Sequence, residues 1–200
     1  MKLEELLNFL KNTEFLNQIE GSKIPNINLY MDQALSFMNE NLEQNKRNSK
    51  DKILTKSMIN NYVKSELIPK PENKKYCPQH IISLIYIFYL KQILSLEDVK
   101  TILSQYEKNH FDGDDINDLY KVFLSSEQME VSKLENELED TARNIYENCH
   151  DDFDDDEITF LFIMLLSSRA NTYKVIIEKL TDHLSDSKKH DKHDKHDKKI

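Results

Sequence analysis

Turn-forming residues are scarce in this chain, and their scarcity constrains its fold more than any other feature. The 200 residues include only two glycines, Gly21 and Gly113, and four prolines. Tight β-hairpins depend on glycine at positive φ and on proline at fixed φ, so few hairpins can form. We therefore predict an all-α, mainly helical chain with at most one small hairpin.

Apolar residues recur at helical spacing along most of the sequence. Early helices are predicted over residues 2–19, 29–42 and 54–67, with a break at 21–26. A helix that is apolar almost all round follows at 80–94, and Ser95 with Asp98 caps a further one over 96–106. The last helices are predicted near 116–123, over 131–149 and over 158–184.

The stretch 54–67, LTKSMINNYVKSEL, separates into two faces at helical spacing. One face is an apolar stripe that contains Met58, Ile59, Tyr62 and Val63. The other face carries the polar residues Ser57, Asn60, Asn61 and Lys64. Hydroxyl, carboxamide and ammonium groups hydrogen-bond phosphates and base edges in a DNA major groove, so we interpret this stretch as a recognition helix. An ordinary surface helix with a solvated polar face would carry the same pattern.

The segment after this helix predicts a basic loop or two-stranded wing. Thr55 is placed to cap the helix, and Pro69 ends it because the residue before a proline is pushed towards extended geometry. PKPENKKY then carries Lys70, Lys74 and Lys75, which we expect to point outward.

Charge is distributed in blocks of opposite sign. Residues 46–92 hold ten Lys and Arg against three Asp and Glu, a net charge of +7, whereas residues 93–157 hold five against twenty, a net −15. The whole chain is −9. A net acidic protein can still bind DNA when its basic groups share one face, and the basic block contains the predicted recognition helix.

These shifts in composition predict four regions. We expect an N-terminal helix at 1–24, a compact helical domain at 25–112 and an acidic helical extension at 113–184 that serves dimerisation or partner binding. The tail at 185–200 ends in three HDK triplets and is expected to be disordered, because it has little apolar content to offset the entropy of ordering.

Several other functions find little support in the sequence. Two distant cysteines give neither a disulfide framework nor a metal motif, the start lacks a signal-peptide core, and the longest apolar runs are about half of a membrane span. We therefore expect a cytoplasmic protein with no membrane contact. No catalytic motif is present, so we expect no enzymatic activity and no cofactor.

Two segments of the sequence have features of a metal site, and each has a simpler explanation. Asp152, Asp154 and Asp156 alternate as in an EF-hand, but Glu157 and Ile163 stand where that loop needs glycine and glutamate. A solvated acidic helix start accounts for them better. The tail histidines are another potential metal site, but a charged solubilising tail is the simpler interpretation, and no metal is predicted.

An apolar stripe runs through residues 131–149 for about three heptads, with members at Val131, Leu134, Leu138, Ile145 and Cys149. It can form a coiled coil between two copies of the chain. It can equally pack inside its own chain against residues 158–180, and the sequence does not choose between these arrangements.

The order of these elements resembles the winged helix-turn-helix domain of the MerR-type transcription regulators. Their recognition helix leads through a "GLI-P" turn to a basic wing with an aromatic residue, and then to a helix pair ending in a "GFSLEEIKELL"-like segment. The matching text here is NNYVKSELIPKPENKKYCPQHI and LKQILSLEDVKTIL. Residues from about 25 to 123 resemble more closely a bacterial family of MerR-like proteins designated domain of unknown function 1836, through phrases such as NLYMDQ and LTKSMINNYVKSELIPKP.

The chain departs from the MerR pattern at three positions. Glu66 occupies the turn-glycine position, and a non-glycine held in a left-handed conformation there costs about 1 kcal/mol. Asn60 and Lys74 stand where MerR-type proteins carry arginine, so bidentate guanidinium contacts are lost. Phosphate binding tolerates these changes better than base specificity does.

The resemblance implies a DNA-binding transcription regulator that acts as a homodimer on double-stranded DNA, with an effector that the sequence does not identify. The expected DNA-contacting residues are Lys56, Ser57, Asn60, Asn61, Tyr62, Lys64, Lys70, Lys74, Lys75 and Tyr76. The alternative is a protein-interaction module built on a degenerate winged helix, whose acidic helical half binds a partner.

Overall fold

A computed structural model describes residues 1–13, 18–48, 50–110, 115–149 and 152–197, with no side-chain description at 106–117 and 186–197. Parts of several predictions lie outside these residues: Phe15 and Leu16 of the first helix, the Gly113 boundary and the start of the acidic linker at 150–151. The side chains of the tail histidines His190, His193 and His196 lie outside the side-chain description. The described chain is mostly helical, as predicted.

Seven α-helices and two short strands make up the described fold. The helices are α1 (Leu3–Lys11), α2 (Met31–Asn41), α3 (Lys56–Lys64), α4 (Pro78–Leu90), α5 (Leu96–His110), α6 (Asp115–Cys149) and α7 (Asp155–Asp197). The strands are β1 (Leu29–Tyr30) and β2 (Lys75–Tyr76). The chain divides into a smaller unit, Met1–Leu16 with Val122–Tyr173, and a larger unit, Asn17–Lys121 with Lys174–Ile200.

Helix α4 forms the centre of the larger unit. Eight of its thirteen residues are buried, including Ile82, Ile85 and Ser83, and Pro78 occupies its first turn. The helix is enclosed because its sequence is apolar almost all round. Met38 of α2, Ile59 of α3 and Val99 of α5 are fully buried residues of the same unit.

Helix α5 begins at the predicted cap. The Ser95 hydroxyl donates to the Asp98 carboxylate at 2.7 Å and accepts from the Asp98 backbone N–H at 3.2 Å. Gln105 of α5 contacts the later part of α7, where its side-chain amide donates to the Leu184 carbonyl at 3.0 Å.

The strands pair at a place that the helical pattern did not predict. β1 precedes α2 directly and pairs antiparallel with β2, with Leu29 opposite Tyr76 and Tyr30 opposite Lys75. The predicted helix over 29–42 therefore starts two residues later, at Met31. Helical spacing does not distinguish these residues, because the pairing depends on a segment more than forty positions away.

The smaller unit has its own apolar core. Leu6 and Leu7 of α1 pack with Leu138, Ala142 and Tyr146 of α6 and with Ile158 and Phe162 of α7. Ile145 and Cys149 lie at the edge of this cluster. Much of the heptad stripe thus packs inside its own chain, which is the second of the two arrangements left open by the sequence.

Helices α6 and α7 are longer than predicted. The helices near 116–123 and over 131–149 join into one, and α7 continues to Asp197, through most of the tail that composition predicted to be disordered. Both extensions have the same local cause, because no glycine or proline follows Gly113 to end a helix.

One part of α7 meets the length and composition of a membrane span. Among the residues that the structure describes, Asp155–Ser185 is long and apolar enough to cross a bilayer, and little of it is buried. The apolar run at 158–166 is by itself about half of a membrane span, whereas α7 joins it to the amphipathic turns that follow. A single helix of this kind is weak evidence for a membrane protein.

Candidate nucleic-acid interface

The polar face of α3 is exposed and its apolar face is anchored. The Thr55 hydroxyl accepts from the Met58 backbone N–H at 3.2 Å, which caps the helix as predicted. Ile59 and Tyr62 are buried, and Met58 and Val63 are half-buried. The predicted contact residues of the opposite face, Ser57, Asn60, Asn61 and Lys64, are all exposed. The two-faced pattern of the sequence is therefore realised in the helix.

A left-handed residue fixes the end of α3. Glu66 has φ 56°, and its N–H donates to Val63 while the Leu67 N–H donates to the Tyr62 carbonyl at 2.8 Å. This pair of bonds is a Schellman motif, with Leu67 buried beside the last turn. Glutamate has a Cβ and therefore meets the left-handed strain that glycine would avoid. The Lys100 ammonium donates to the Ser65 carbonyl at 2.7 Å and supports the same helix end.

The predicted wing is a tight turn that joins the small sheet. Glu72 and Lys75 form an antiparallel bridge, and the Lys75 N–H donates to the Glu72 carbonyl at 2.8 Å. The two residues between them, Asn73 and Lys74, have φ 48° and φ 62°. Positive φ at both central positions is the geometry of a type I′ hairpin turn. The turn is therefore built without glycine, in the segment where the sequence predicted a basic loop or two-stranded wing.

The predicted lysines differ in their partners. Lys64, Lys70 and Lys74 are exposed. The Lys56 ammonium lies 2.6 Å from the Asp32 carboxylate of α2, and the Lys75 ammonium lies 5.3 Å from the centre of the exposed Tyr30 ring. Both contacts hold the start of α2 beside α3 and β2, because Asp32 lies in the first turn of α2 and Tyr30 directly precedes that helix.

The roles assigned to Tyr62 and Tyr76 are corrected by their burial. The exposed fractions are 4% for Tyr62 and 3% for Tyr76, and burial raises the pKa of both phenols. Tyr62 belongs to the apolar stripe of α3, and Tyr76 lies in β2 opposite Leu29. Each ring supports the surface from beneath, and neither remains among the proposed DNA contacts.

A buried histidine at the base of the wing escaped the sequence analysis. His80 Nδ1 accepts from the Cys77 N–H at 3.2 Å, and Nε2 lies 3.2 Å from the Pro69 carbonyl, so the neutral Nε2–H tautomer satisfies both contacts. Burial lowers the His80 pKa and outweighs the opposing effect of the Pro69 bond. The ring also meets Tyr76 edge-on, with centroids 5.5 Å apart. His80 thereby ties the turn after α3, strand β2 and the start of α4 together.

Cys77 and His80 also form a close pair, with Sγ and Nδ1 2.9 Å apart. The signal for this pair was present, since the i, i+3 spacing at a helix start brings two side chains together. Among the side chains that the structure describes, no group of three or more His, Cys, Asp or Glu residues is placed to hold a metal ion.

Comparison with known proteins gives one match. The family model described as a domain of unknown function (DUF1836) matches residues 19–123, slightly more than half of the chain. No curated protein and no solved structure matches the sequence. The matched residues include α2 to α5, the small sheet and the candidate interface. The chain therefore belongs to the family designated domain of unknown function (DUF1836).

Proposed function

We propose that the chain is a DNA-binding protein, a transcription regulator with a MerR-like winged helix, which reads double-stranded DNA with α3 and binds its backbone with the wing. The observation that carries the proposal is the outward face of α3, where four polar side chains are exposed on a helix whose other face is buried. Nine residues at 1.5 Å per residue give a helix about 13 Å long, which suits a major-groove contact of a few base pairs.

The side chains divide by chemistry. Asn60 and Asn61 carry carboxamides that can pair with the N6 and N7 of adenine, so they are the proposed base-reading groups. Ser57 and Lys64 sit at the two ends of the same face and are proposed to contact phosphates or base edges. Loss of the arginine expected at Asn60 removes the bidentate guanine contact and favours adenine at that position.

The exposed lysines of the wing supply the proposed backbone contacts. Lys70 precedes the bridge between Glu72 and Lys75, and Lys74 lies at the tip of the type I′ turn that this bridge closes. A fixed hairpin loses little entropy when it binds. Lys56 and Lys75 contribute at the cost of their present partners, Asp32 and Tyr30. Two copies of the chain would read a pseudo-palindrome, since a two-fold protein symmetry imposes two half-sites.

The test is binding to a labelled random-sequence duplex across a salt series. The variant Lys64→Glu with Lys74→Glu changes two exposed lysines of the interface. The control Lys23→Glu with Lys133→Glu changes the net charge equally through two exposed lysines elsewhere. We expect wild type and control to bind and to weaken with salt, and the interface variant to lose about two units of the log–log salt slope.

Equal binding by the two double variants would contradict the proposal, because the net charge of the chain, rather than the position of the substituted lysines, would then control binding. Negligible binding by wild type at low salt would also contradict it. If both variants retain the helical circular dichroism of wild type, a loss of binding reports the interface rather than the fold. Selection from a random library would then identify the site.

A second candidate function is a protein-interaction module. The observation that favours it is the exposed apolar surface of α7, where Phe160, Ile163 and Met164 lie on the side away from the core residues Ile158 and Phe162. Large exposed apolar patches mark interaction surfaces. Binding to such a surface resists salt, whereas DNA binding through lysines does not, so the same salt series separates the two functions.

A further inference from the structure

The thiol of Cys77 and the imidazole of His80 lie together at the base of the wing. The Cys77 Sγ is 2.9 Å from the His80 Nδ1, and Nε2 on the other side of the ring is 3.2 Å from the Pro69 carbonyl. Because Nε2 carries the proton that Pro69 accepts, Nδ1 presents its lone pair to the thiol. A thiol, a base and a group that orients the base form the arrangement that activates cysteine nucleophiles.

Burial of the base and partial exposure of the thiol suit a reaction at neutral pH. His80 is 4% exposed and burial lowers its pKa, so at pH 7 the ring is neutral and can accept a proton at Nδ1. Cys77 is a half-buried thiol that forms no disulfide. It also lies at the N-terminus of the thirteen-residue helix α4, where the helix dipole favours negative charge. A small reagent can therefore reach a thiol that has a proton acceptor beside it.

The surroundings of the thiol distinguish between classes of reagent. Oxidation by a hydroperoxide gives a sulfenic acid that condenses with a second thiol, but the other cysteine of the sequence, Cys149, belongs to the smaller unit. A metal ion needs further ligands, and no described group of three His, Cys, Asp or Glu residues supplies them. Addition to an α,β-unsaturated carbonyl needs only a nucleophile and a proton. Cys77 and His80 supply both.

We propose that Cys77 is a modification site for small α,β-unsaturated carbonyl compounds, with His80 as its base. Nδ1 takes the thiol proton while Sγ forms a bond to the β-carbon of the reagent, and the π electrons move into an enolate. The protonated ring then returns the proton to the α-carbon, which leaves a thioether and a neutral imidazole. The addition involves no oxidant and no leaving group.

The adduct would lie where the wing joins α4. Strand β2 ends at Tyr76, directly before Cys77, and the His80 ring contacts both Tyr76 and the Pro69 carbonyl. A thioether has no S–H to donate to Nδ1, and its added atoms displace one side of this contact. Modification therefore loosens the wing and weakens DNA binding, which makes the electrophile an effector. This last step rests on the proposed function, whereas the reaction of the thiol does not.

Alkylation of the full chain with N-ethylmaleimide at pH 7 tests the site. Cys149 is the internal reference, because it is also a half-buried thiol. Peptide mass mapping over time gives the rate at each cysteine. We expect Cys77 to react about 10-fold faster than Cys149 in the native chain and equally fast in urea, since an unassisted thiol is only a few per cent thiolate at pH 7. A native rate at Cys77 equal to or below that at Cys149 would overturn the inference.

Substitution of His80 separates its role as a base from its role in the fold. In His80→Gln the carboxamide oxygen can still accept the Cys77 N–H in the capping box, but it takes no proton at neutral pH. We expect the rate at Cys77 to fall about 10-fold, with the rate at Cys149 and the helical circular dichroism unchanged. An unchanged rate at Cys77 in the folded variant would reject His80 as the base. If the variant does not fold, the two rates in wild type still decide the inference.

The Cys149→Ser variant limits modification to Cys77 and tests the link to the wing. After alkylation we expect faster amide hydrogen exchange over residues 70–76 and about 10-fold weaker binding to the random-sequence duplex. Cys77→Ser with Cys149→Ser has no thiol and should show neither change when treated with the reagent. Unchanged exchange and unchanged binding after complete alkylation would reject Cys77 as a control point for the wing.

Failure of this inference and failure of the proposed function are distinguishable. Fast alkylation of Cys77 in a chain that binds no DNA, modified or not, supports the thiol site and rejects the DNA-binding function. Slow alkylation of Cys77 in a chain that binds DNA with a salt-dependent affinity rejects the thiol site alone.

Discussion

Helix α3 and the first turns of α7 expose opposite kinds of side chain. In the larger unit, α3 buries Ile59 and Tyr62 and turns its carboxamides and lysine outward. In the smaller unit, the first turns of α7 bury Ile158 and Phe162 and leave Phe160, Ile163 and Met164 exposed. On α3 the apolar side chains are buried, so the exposed polar side chains indicate a polar partner. On α7 large apolar side chains remain exposed, so they indicate an apolar partner. The two candidate functions proposed above follow from that difference.

Two isoleucines give the strongest test of this contrast. Ile59 is fully buried and Ile163 is 54% exposed. We expect Ile59→Ala to lower the free energy of unfolding by about 3 kcal/mol, because it leaves a cavity, whereas Ile163→Ala should cost less than about 0.5 kcal/mol. Urea denaturation followed by circular dichroism measures both. Equal losses would mean that the exposed face of α7 is covered in solution, which would remove the contrast.

Local sequence patterns predicted the elements that depend on local physics. The cap at Thr55, the two faces of α3 and the cap at Ser95 all follow from residues within a few positions of one another. The mainly helical fold class followed from the scarcity of glycine and proline. These features could be predicted because spacing alone determines which side chains and backbone groups meet.

The features that escaped prediction depend on distant residues. Strand β1 exists because Leu29 and Tyr30 meet β2, more than forty residues away. The bond from His80 to Pro69 depends on how the wing folds back. Tyr62 was assigned both to the apolar stripe and to DNA contacts, and its spacing from Ile59 already favoured burial. Tyr76 had no such local signal, since its burial depends on the pairing with Leu29.

The burial of His80 predicts that the stability of the larger unit depends on pH. Burial lowers its pKa, so below about pH 6.5 the unfolded chain binds a proton that the folded chain resists. The stability of wild type should therefore fall as the pH drops from 7 to 5, by up to about 1.4 kcal/mol per pH unit from this residue. His80→Gln should remove that part of the slope. Denaturation at several pH values compares the two slopes, and identical slopes would reject the role of burial.

The left-handed backbone of Glu66 predicts that glycine at this position stabilises the end of α3. A glycine at φ 56° avoids the left-handed strain, so Glu66→Gly should stabilise the larger unit by about 1 kcal/mol. The lost ion pair to Lys100, with atoms 3.5 Å apart at the surface, contributes little. Glu72→Gly is the control, because an exposed glutamate outside the left-handed region should lose rather than gain stability. A loss at both positions would show that the turn tolerates glutamate without cost.

The smallest expected effect concerns Asp32, which connects the proposed interface to the rest of the larger unit. Its carboxylate lies 2.6 Å from the Lys56 ammonium, and both side chains are largely exposed. An exposed ion pair is worth at most about 1 kcal/mol, so freeing Lys56 for a phosphate and removing a nearby negative charge should strengthen DNA binding by only about 2-fold to 5-fold.

Asp32→Asn makes this change, and Glu40→Gln removes an equal charge from the far end of α2 as the control. Fluorescence anisotropy with a random duplex at low salt measures the gain, which should vanish at high salt because the term is electrostatic. A gain of the same size in both variants would mean that DNA senses only the net charge of the unit, and Lys56 would then leave the proposed interface.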